Sequence, residues 1–400
     1  MKKFLPFLAL LIFCVSIDVP LAGVAKENPL PDSAPYQSVL LMEVETGQIP
    51  FSYEIHRQWP PASLCKMMLM LIVKEKVQEG SLSLTDEVVV SVRARRMGGS
   101  QVYLSEGEIF TLEELMKAVA IKSANDAAVA VAEYVAGTVE VFVDSMNRRA
   151  KELDMADTVY HSVHGLPPAP GQKEDLTSAY DQAILARKLV AYPQILRWSS
   201  IVKEEFREGK FILNNTNKLV GLFRGLDGLK TGYYQAAGYN IVATASREEI
   251  RFIAVVLGAS TSHVRFSEAA RLLGLGFDRY RKVTAIKKGS PLNEGIRVVE
   301  GKKGTIIPVA SRDAVILVHR GEEGKIEQEP HLVSIVQAPV SKGERVGKIR
   351  FIVDGKLKAE VPAIVPEEVP QASFFWRFLW KFSSAMKGLV TYLLGWVKDF

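Results

Sequence analysis

A serine and a lysine stand three residues apart at the head of an uninterrupted apolar run. Ser63 and Lys66 precede the apolar residues 67–73, and no helix breaker follows until Gly80. Residues three apart lie on one face of a helix, so the spacing predicts a buried helix that begins near Ser63 with hydroxyl and amine side by side. Burial disfavours the charged ammonium and lowers the pKa of the amine. Lys66 is therefore a candidate base for a nucleophilic Ser63.

The same spacing also has a simpler explanation, in which a surface serine is followed by a lysine whose amine extends into solvent. Cys65 raises a further alternative, because a thiol is itself a nucleophile. Two residues after Ser63, however, Cys65 falls on roughly the opposite side of a helix. We therefore interpret Cys65 as a small buried packing residue.

The amino terminus has the form of a secretory signal peptide. Two lysines precede an apolar run at 4–15, which ends too early for a transmembrane anchor, and small residues lead up to Ala25. This pattern predicts cleavage after Ala25, so that residues 1–25 are removed and the protein is exported. Cys14 leaves with the signal, and Cys65 then stands alone, so we expect no internal disulfide in the mature chain.

Charge and composition exclude one class of partner. The formal net charge of +5 over 400 residues is mild and dispersed along the chain. A nucleic-acid-binding protein usually concentrates its basic residues, so we expect no nucleic-acid partner. We also expect no cofactor and no metal.

The predicted elements divide the mature chain into two parts. Up to residue 281, strands and helices alternate, and residues 111–114 have the pattern of a capping box. From 282 to 366, short β-branched strands are separated by glycine-containing turns without a convincing helix. We therefore predict an α+β domain at 26–281, an all-β domain at 282–366, and a linker with a terminal helix at 367–400.

The boundaries of these elements follow from periodicity and turn residues. In the first part we predict strands at 38–43, 87–92, 239–245 and 251–258, a strand that runs through Tyr53, and a strand that follows the turn at 225–232. We predict helices from Ser63 to Gly80 and at 111–121, 127–136, 141–153, 177–191 and 268–280. In the second part, 301–304 and 321–324 resemble hairpin turns.

Two further motifs follow the Ser63–Lys66 pair, and their flanks are distinctive. The relevant stretches are Pro61-Ala62-Ser63, Ser123-Ala124-Asn125-Asp126-Ala127, His164-Gly165-Leu166, Asp227-Gly228-x-Lys230-Thr231-Gly232 and Ala237-Gly238-Tyr239-Asn240. Ser-x-x-Lys, Ser-x-Asn and Lys-Thr-Gly in this order form the set shared by penicillin-binding proteins and class A β-lactamases. Together, these stretches resemble the low-molecular-mass penicillin-binding proteins, and among them the serine-type D-alanyl-D-alanine carboxypeptidases, over nearly the whole mature chain.

This resemblance implies a fold. It is the penicillin-binding/β-lactamase-like transpeptidase fold, an antiparallel sheet flanked by helices with a helical subdomain. A small all-β domain and an amphipathic C-terminal helix follow it.

The resemblance also implies a reaction and a set of roles. The substrate is a peptidoglycan stem peptide ending in D-Ala-D-Ala, and β-lactam antibiotics are covalent inhibitors. Ser63 is the nucleophile, Lys66 is its base, and Ser123 relays a proton to the departing amine. The residues implied in substrate binding are Asn125 for the amide side of the acyl chain, Lys230, Thr231 and Arg265 for the terminal carboxylate, Gly232 as part of the strand motif, and Tyr233 for a backbone N–H of the oxyanion hole.

Three stretches depart from the pattern of the family. Cys65 stands where threonine is usual, and Tyr233-Tyr234 follows the Lys-Thr-Gly motif where His-Thr or Tyr-Thr is commoner. Residues 160–163 read Tyr-His-Ser-Val where Thr-Asn-Pro is favoured. None of these departures removes a catalytic group, but the first two are positioned to tune acylation and the shape of the pocket. We interpret His164 as structural, because the sequence indicates no acidic partner near it.

Three alternative functions remain open. A class A β-lactamase needs a carboxylate to activate the deacylating water, and the segment 174–177 does not match the pattern expected for it. A D,D-endopeptidase would act on cross-linked stems with the same residues. A non-catalytic, membrane-attached peptidoglycan-binding scaffold would have no need of Ser63, Lys66 and Ser123 together.

The carboxyl-terminal tail is predicted to lie on a membrane surface. Residues Gln371–Phe400 are rich in aromatic and aliphatic side chains, and their polar residues and glycines recur at alternating steps of four and three. That spacing forms one narrow polar stripe on a helix. A spanning helix needs about 20 apolar residues with few charges, and Arg377, Lys381 and Lys387 interrupt this one. We therefore predict peripheral attachment to lipid on the outer face of the cytoplasmic membrane.

Overall fold

The computed structural model describes residues 34–375, and the predicted signal peptide therefore lies outside the described residues. The strands of the first part are β1 (Ser38–Glu43), β2 (Phe51–Tyr53), β3 (Glu87–Val89), β4 (Ile109–Thr111), β5 (Lys203–Phe206), β6 (Phe211–Asn214), β7 (Leu226–Tyr234), β8 (Gly238–Arg247) and β9 (Ile250–Ala259). The strands of the second part are β10 (Tyr280–Ile286), β11 (Ile296–Val299), β12 (Thr305–Ile306), β13 (Val309–Ala310), β14 (Ala314–His319), β15 (Glu327–Leu332), β16 (Ile335–Gln337), β17 (Arg345–Val353) and β18 (Lys356–Ile364).

Among the described residues, the first part also contains eight α-helices, whereas a short 3₁₀ helix, Glu323–Lys325, lies in the second. The α-helices are α1 (Lys66–Gln78), α2 (Val92–Arg95), α3 (Leu112–Lys117), α4 (Asn125–Ala136), α5 (Val139–Glu152), α6 (Ala179–Leu189), α7 (Pro193–Ser199) and α8 (Ser262–Arg279). A 3₁₀ turn, Ala62–Cys65, leads directly into α1. A π-helical turn, Ala118–Lys122, follows α3.

A five-stranded antiparallel sheet in the order β2-β1-β9-β8-β7 carries the first part. Successive side chains of a strand point to opposite faces, and β1 serves two cores in this way. Leu40 packs with α1 on one face, whereas Leu41 packs with α8 on the other. Strand β7, which carries the Lys-Thr-Gly motif, stands at one edge of this sheet. The α+β architecture predicted from the sequence is confirmed.

Several predicted boundaries were wrong, and local hydrogen bonds explain them. The capping box is present, since Glu114 N donates to Thr111 Oγ1 at 3.2 Å and Thr111 N donates to Glu114 Oε2 at 2.8 Å. The helix predicted at 111–121 nevertheless changes to the π-helical turn after Lys117. The helix predicted from Glu268 begins at Ser262, because Thr261 Oγ1 accepts from Val264 N and caps it. The β5–β6 hairpin and α7 were not predicted.

The second part consists of three small β-sheets. Their strand orders are β10-β14, β12-β11-β16 and β13-β18-β17-β15. The turn at 301–304 joins the antiparallel strands β11 and β12, as expected of a hairpin. The turn at 321–324 was predicted wrongly, because β14 and β15, which it joins, pair with β10 and β17 instead of with each other. The predicted all-β domain is confirmed.

The segment after β18 is more ordered than the linker we expected. Val369 N donates to Val340 O at 2.9 Å, and Gln371 Nε2 donates to Ala338 O at 2.9 Å. Residues 367–372 therefore pair with the all-β domain instead of forming a free linker. None of the helices described between residues 34 and 375 has the length and apolar character that a bilayer crossing requires. The predicted tail helix lies almost entirely outside the described residues.

Candidate active site

The Ser63–Lys66 pair lies where the 3₁₀ turn Ala62–Cys65 passes into α1. In a 3₁₀ helix residues three apart eclipse each other, so this turn places the two side chains directly one above the other. Lys66 Nζ lies 2.9 Å from Ser63 Oγ. That distance is within the range over which a base takes a proton from a hydroxyl.

Lys66 is fully buried and has two further polar contacts. Its Nζ donates to Asn125 Oδ1 at 2.7 Å and to the backbone carbonyl of His164 at 2.7 Å. Burial lowers the pKa of Lys66 to about 8, although the negative charges of Asp175 and Asp126 oppose the change. About a tenth of this amine is therefore neutral at pH 7, far more than of a lysine with its ordinary pKa of about 10.4, and the neutral form is the one that a base requires.

Ser123 and Asn125 lie between the π-helical turn and the first turn of α4. Ser123 adopts a left-handed conformation with φ of 64°. Its Oγ is enclosed by protein and has no hydrogen-bond partner among the residues described. Asn125 is held by its Nδ2, which donates to the carbonyl of Gly98 at 2.7 Å. Ser123 therefore lies two residues before the amide that accepts from Lys66, and its role in proton transfer stays a prediction.

Lys230 and Thr231 are buried on β7. Lys230 Nζ donates to the carbonyl of Thr231 at 3.0 Å, and Thr231 Oγ1 donates to Thr216 Oγ1 at 2.9 Å. Burial, followed by the charge of Lys66, holds the pKa of Lys230 well below its usual range. Burial is the principal cause of the lowered pKa at both lysines.

Two glycines let the backbone approach the Ser63 turn closely. A Cβ on Gly232 would lie 2.5 Å from the carbonyl oxygen of Pro61 and 3.1 Å from Ser63 N. A Cβ on Gly165 would lie 2.0 Å from the carbonyl oxygen of Ala62, and Gly165 also has a φ of 71° that favours glycine. Strand β7 and the loop at 161–166 therefore both rest directly on the turn that carries Ser63.

Tyr233 lies on β7 itself, whereas Arg265 reaches that strand from α8. Tyr233 is about half exposed, and its ring stacks on that of Tyr239 with centroids 4.2 Å apart. Arg265 is buried and its Nη1 donates to the carbonyls of Gly232 at 3.3 Å and Asn240 at 3.4 Å. Arg265 therefore supports the motif strand, and its direct contact with a substrate carboxylate stays a prediction.

Sequence reasoning missed two groups that shape the site. The His164 carbonyl gives no sequence signal, because every residue has one. Asn240 donates from Nδ2 to the Pro60 carbonyl at 2.8 Å and accepts from Gly258 N at 2.7 Å, so it ties β8 and β9 to the Ser63 turn. The Ala-Gly-Tyr-Asn stretch was considered only for its resemblance to the family. The amide side chain of Asn240 was the signal that could have predicted this contact.

The remaining candidates are inert by their surroundings. Burial raises the pKa of the Cys65 thiol to about 12, so little nucleophilic thiolate forms. The side chain of His164 accepts from Leu166 N at 3.1 Å, and burial lowers its pKa to about 4. Between residues 34 and 375, no group of three or more His, Cys, Asp or Glu side chains is arranged to hold a metal ion.

A sheet edge beside a partly exposed serine and a buried lysine, on an α+β scaffold, defines a serine enzyme of the penicillin-binding type. Comparison with known proteins agrees. The profile of the D-alanyl-D-alanine carboxypeptidase family matches residues 25–261, and that of the penicillin-binding protein 5 C-terminal domain matches residues 280–371. The chain belongs to the D-alanyl-D-alanine carboxypeptidase family.

Individual relatives support the same assignment. The chain is 35% identical to the D-alanyl-D-alanine carboxypeptidase DacF of Bacillus subtilis, over 84% of this chain and 87% of that one. It is 34% identical to DacC of Escherichia coli, over 91% of each. Penicillin-binding protein 5 of Haemophilus influenzae superposes with a TM-score of 0.77 at 29% identity, covering 86% of this chain and 100% of that one. The protein is thus a serine-type D-alanyl-D-alanine carboxypeptidase.

Proposed function

We propose that this carboxypeptidase removes the terminal D-Ala from peptidoglycan stem peptides through an acyl-enzyme on Ser63. The observation that carries the proposal is the 2.9 Å distance between Ser63 Oγ and the buried Lys66 Nζ, whose pKa burial lowers to about 8. The neutral amine takes the hydroxyl proton while Oγ attacks the carbonyl between the two alanines. Water then releases the shortened peptide and restores Ser63.

The oxyanion of the tetrahedral intermediate binds the backbone N–H groups of Ser63 and Tyr233. Support comes from Gly232, which lets β7 approach the Ser63 turn so closely that a Cβ there would lie 3.1 Å from Ser63 N. One such donor typically contributes on the order of 3 kcal/mol to lowering the barrier.

The departing D-Ala, which carries the terminal carboxylate, and the acyl chain of the substrate occupy the two sides of this site. Ser123, with its enclosed and unpartnered hydroxyl, passes a proton to the departing amine, and Asn125 holds the amide side of the acyl chain. Lys230 and Thr231 on β7 bind the terminal carboxylate, with Arg265 bound behind them to the carbonyl of Gly232. Recognition of a free carboxylate makes the enzyme an exopeptidase.

A β-lactamase activity is disfavoured by the two carboxylates that follow the loop at 161–166 in the chain. Glu174 accepts a short hydrogen bond from the Tyr234 hydroxyl, and Asp175 accepts from Ser162. Both groups already have protein partners, so neither is free to activate a deacylating water. Penicillin should therefore form a persistent acyl-enzyme. A crystal structure of one relative, penicillin-binding protein D2 of Listeria monocytogenes, is of its ampicillin-bound form (TM-score 0.57, 29% identity, 63% of this chain and 100% of that one).

A fluorescent penicillin tests the nucleophile. Covalent labelling of the wild-type protein and its loss in Ser63→Ala would support the enzyme and exclude the non-catalytic scaffold. Labelling of Ser63→Ala at the wild-type rate would refute the assignment. Product analysis on monomeric and cross-linked muropeptides then separates the carboxypeptidase from a D,D-endopeptidase, since only the first releases free D-Ala from uncross-linked stems.

The proposed location of the enzyme, outside the cytoplasm and on the membrane surface, rests on its predicted signal peptide and its predicted amphipathic tail. The signal peptide at 1–25 exports the chain, and the amphipathic tail lies on the outer face of the cytoplasmic membrane. The all-β domain stands between the catalytic domain and that tail, so it acts as a spacer that lifts the active site toward the wall. Fractionation of cells into soluble and membrane pools, with and without the tail, tests this location.

A further inference from the structure

The loop at 161–166 is organised by one buried carboxylate. Asp175 accepts from the backbone N–H groups of His161 at 2.5 Å and Ser162 at 2.9 Å, and from the Ser162 hydroxyl at 2.7 Å. All three contacts reach back about a dozen residues along the chain, and Asp175 is only 7% exposed. The first two residues of the loop are thus held by one side chain beneath it.

Ser162 connects Asp175 to the peptide group between His164 and Gly165. Its Oγ accepts from Gly165 N at 2.8 Å. The carbonyl of the same peptide unit belongs to His164, and it accepts from Lys66 Nζ at 2.7 Å and from Ser63 Oγ at 3.3 Å. A peptide unit is planar, so holding its N–H in place also fixes the direction of its C=O.

We propose that Asp175 and Ser162 are positioning residues, which orient the His164–Gly165 peptide so that its carbonyl holds Lys66 against Ser63. This inference rests on the proposed role of Lys66 as the base. Ser162 lies in the stretch 160–163 that departs from the pattern of the family, so the chain supplies its own means of holding this peptide. Neither residue touches the reacting atoms.

The variants Ser162→Ala and Ser162→Thr test the hydrogen-bond link in the full-length chain. Acylation by a fluorescent penicillin yields a first-order rate constant and a dissociation constant for the complex that precedes it. Ser162→Ala should lower the rate constant about 10- to 100-fold, because a misplaced reacting group costs rate more than binding. The dissociation constant should stay unchanged, and Ser162→Thr should restore the rate because its hydroxyl accepts from Gly165 N.

Asp181→Asn provides the matched control. Asp181 is a buried acid in α6, shortly after Asp175 in the chain. It accepts from Asp157 N at 2.9 Å and from Thr158 Oγ1 at 2.6 Å, and both donors lie outside the loop at 161–166. The Asp181→Asn variant should have a lower melting temperature than the wild-type protein and an unchanged acylation rate constant. Equal slowing by Asp181→Asn and Ser162→Ala would mean a general loss of stability and would overturn the proposal.

A pH series separates charge from geometry. The charged or titratable groups that act on the Lys66 amine are Cys65 beside it, Asp126 on α4 and Asp175 below the loop, and the charge of Lys66 in turn acts on His164 in the loop and on Lys230 on β7. Asp175→Asn removes a negative charge that favours the ammonium form, so the pKa of Lys66 falls and the acidic limb of the acylation profile moves to lower pH. Ser162→Ala keeps that charge, so its profile should be lower in rate but unmoved in pH.

Two variants distinguish the positioning role of Ser162 from the role of Lys66 as the base. If Lys66→Arg is inactive while Ser162→Ala acylates at the wild-type rate, the base stands and the positioning role is wrong. If Lys66→Arg acylates normally, the base itself is wrong, and the inference fails with it.

Discussion

Lys66 is the residue on which the proposed chemistry depends most directly. An ammonium group enclosed by protein loses its hydration, and its three close acceptors, Ser63, Asn125 and the His164 carbonyl, compensate only in part. The remaining cost appears as a pKa lowered to about 8. The same burial that destabilises the charged form therefore produces the base.

Replacing Lys66 with arginine tests this directly. Lys66→Arg keeps the positive charge, but a guanidinium does not deprotonate at working pH. Acylation by penicillin should fall about 100- to 10,000-fold, the usual contribution of a general base. Gel fluorescence after labelling measures the loss, and a melting curve shows whether the variant is folded. Normal labelling of a folded Lys66→Arg protein would sink the assignment.

The acylation rate should also depend on pH through this residue. Only the neutral amine accepts the serine proton, and the pKa of Lys66 is lowered to about 8, so the rate should decline as the pH falls below that value. First-order acylation rates over a pH series that brackets this pKa provide the measurement. A profile that stays flat across the series would contradict a lysine base.

Cys65 tests the choice of nucleophile. It is fully buried, and burial raises the pKa of its thiol to about 12. Cys65→Ala should cost on the order of 1 kcal/mol of stability through lost packing and leave a measurable acylation rate. If Cys65→Ala were inactive while Ser63→Ala still acylated, the thiol would be the nucleophile.

At the scale of elements, the site is built where one turn, one strand edge and one loop meet. The turn Ala62–Cys65 is 3₁₀ instead of α-helical, and β7 and the loop at 161–166 reach it only because Gly232 and Gly165 lack side chains. Trp59 Nε1 donates to the carbonyl of Ala237 at 2.8 Å and ties the turn between β7 and β8 to the same place.

The close approach at Gly232 yields a prediction with an internal control. A Cβ at Gly232 would lie 2.5 Å from the Pro61 carbonyl, so Gly232→Ala must separate β7 from the Ser63 turn and should slow acylation by about 100-fold. Gly274 lies within α8, where a Cβ would meet no heavy atom within 4 Å among the described residues. Gly274→Ala should keep the wild-type rate and stabilise the helix by up to about 1 kcal/mol.

Kinetics and melting curves on the two alanine variants measure both effects. Wild-type acylation by Gly232→Ala would show that the strand can shift without consequence for the site.

The sequence predicted the reacting side chains better than the backbone that holds them. Spacing alone brought Ser63 and Lys66 together, because residues three apart share a face in either kind of helix. The π-helical turn before Ser123 and the His164 carbonyl escaped prediction, since backbone conformation depends on distant contacts. The helix α8 began earlier than predicted for a local reason, the Thr261 cap, which was readable in the sequence.

At the scale of the whole molecule, the described residues form two domains in series. The catalytic and all-β domains are joined directly, as β10 begins at Tyr280 where α8 ends at Arg279. An ion pair between Lys282 and Glu45 crosses from one domain to the other. The segment at 367–372 pairs with the all-β domain, so the chain leaves that domain beside the turn at 301–304.

Removal of the tail should detach the enzyme without disabling it. A protein that ends at Phe375 keeps the paired segment 367–372 and loses the stretch predicted to lie on lipid. It should be recovered in the soluble fraction after signal cleavage and should label with penicillin at the wild-type rate. Retention on membranes, or loss of labelling, would contradict the role of the tail.

The most direct test of the acyl-enzyme account is to locate the penicillin adduct by mass spectrometry. The protein is reacted with penicillin, digested, and the modified peptide sequenced. The account predicts a single adduct on the Oγ of Ser63, absent from Ser63→Ala. An adduct on Cys65, on Ser123 or on any other residue would contradict it.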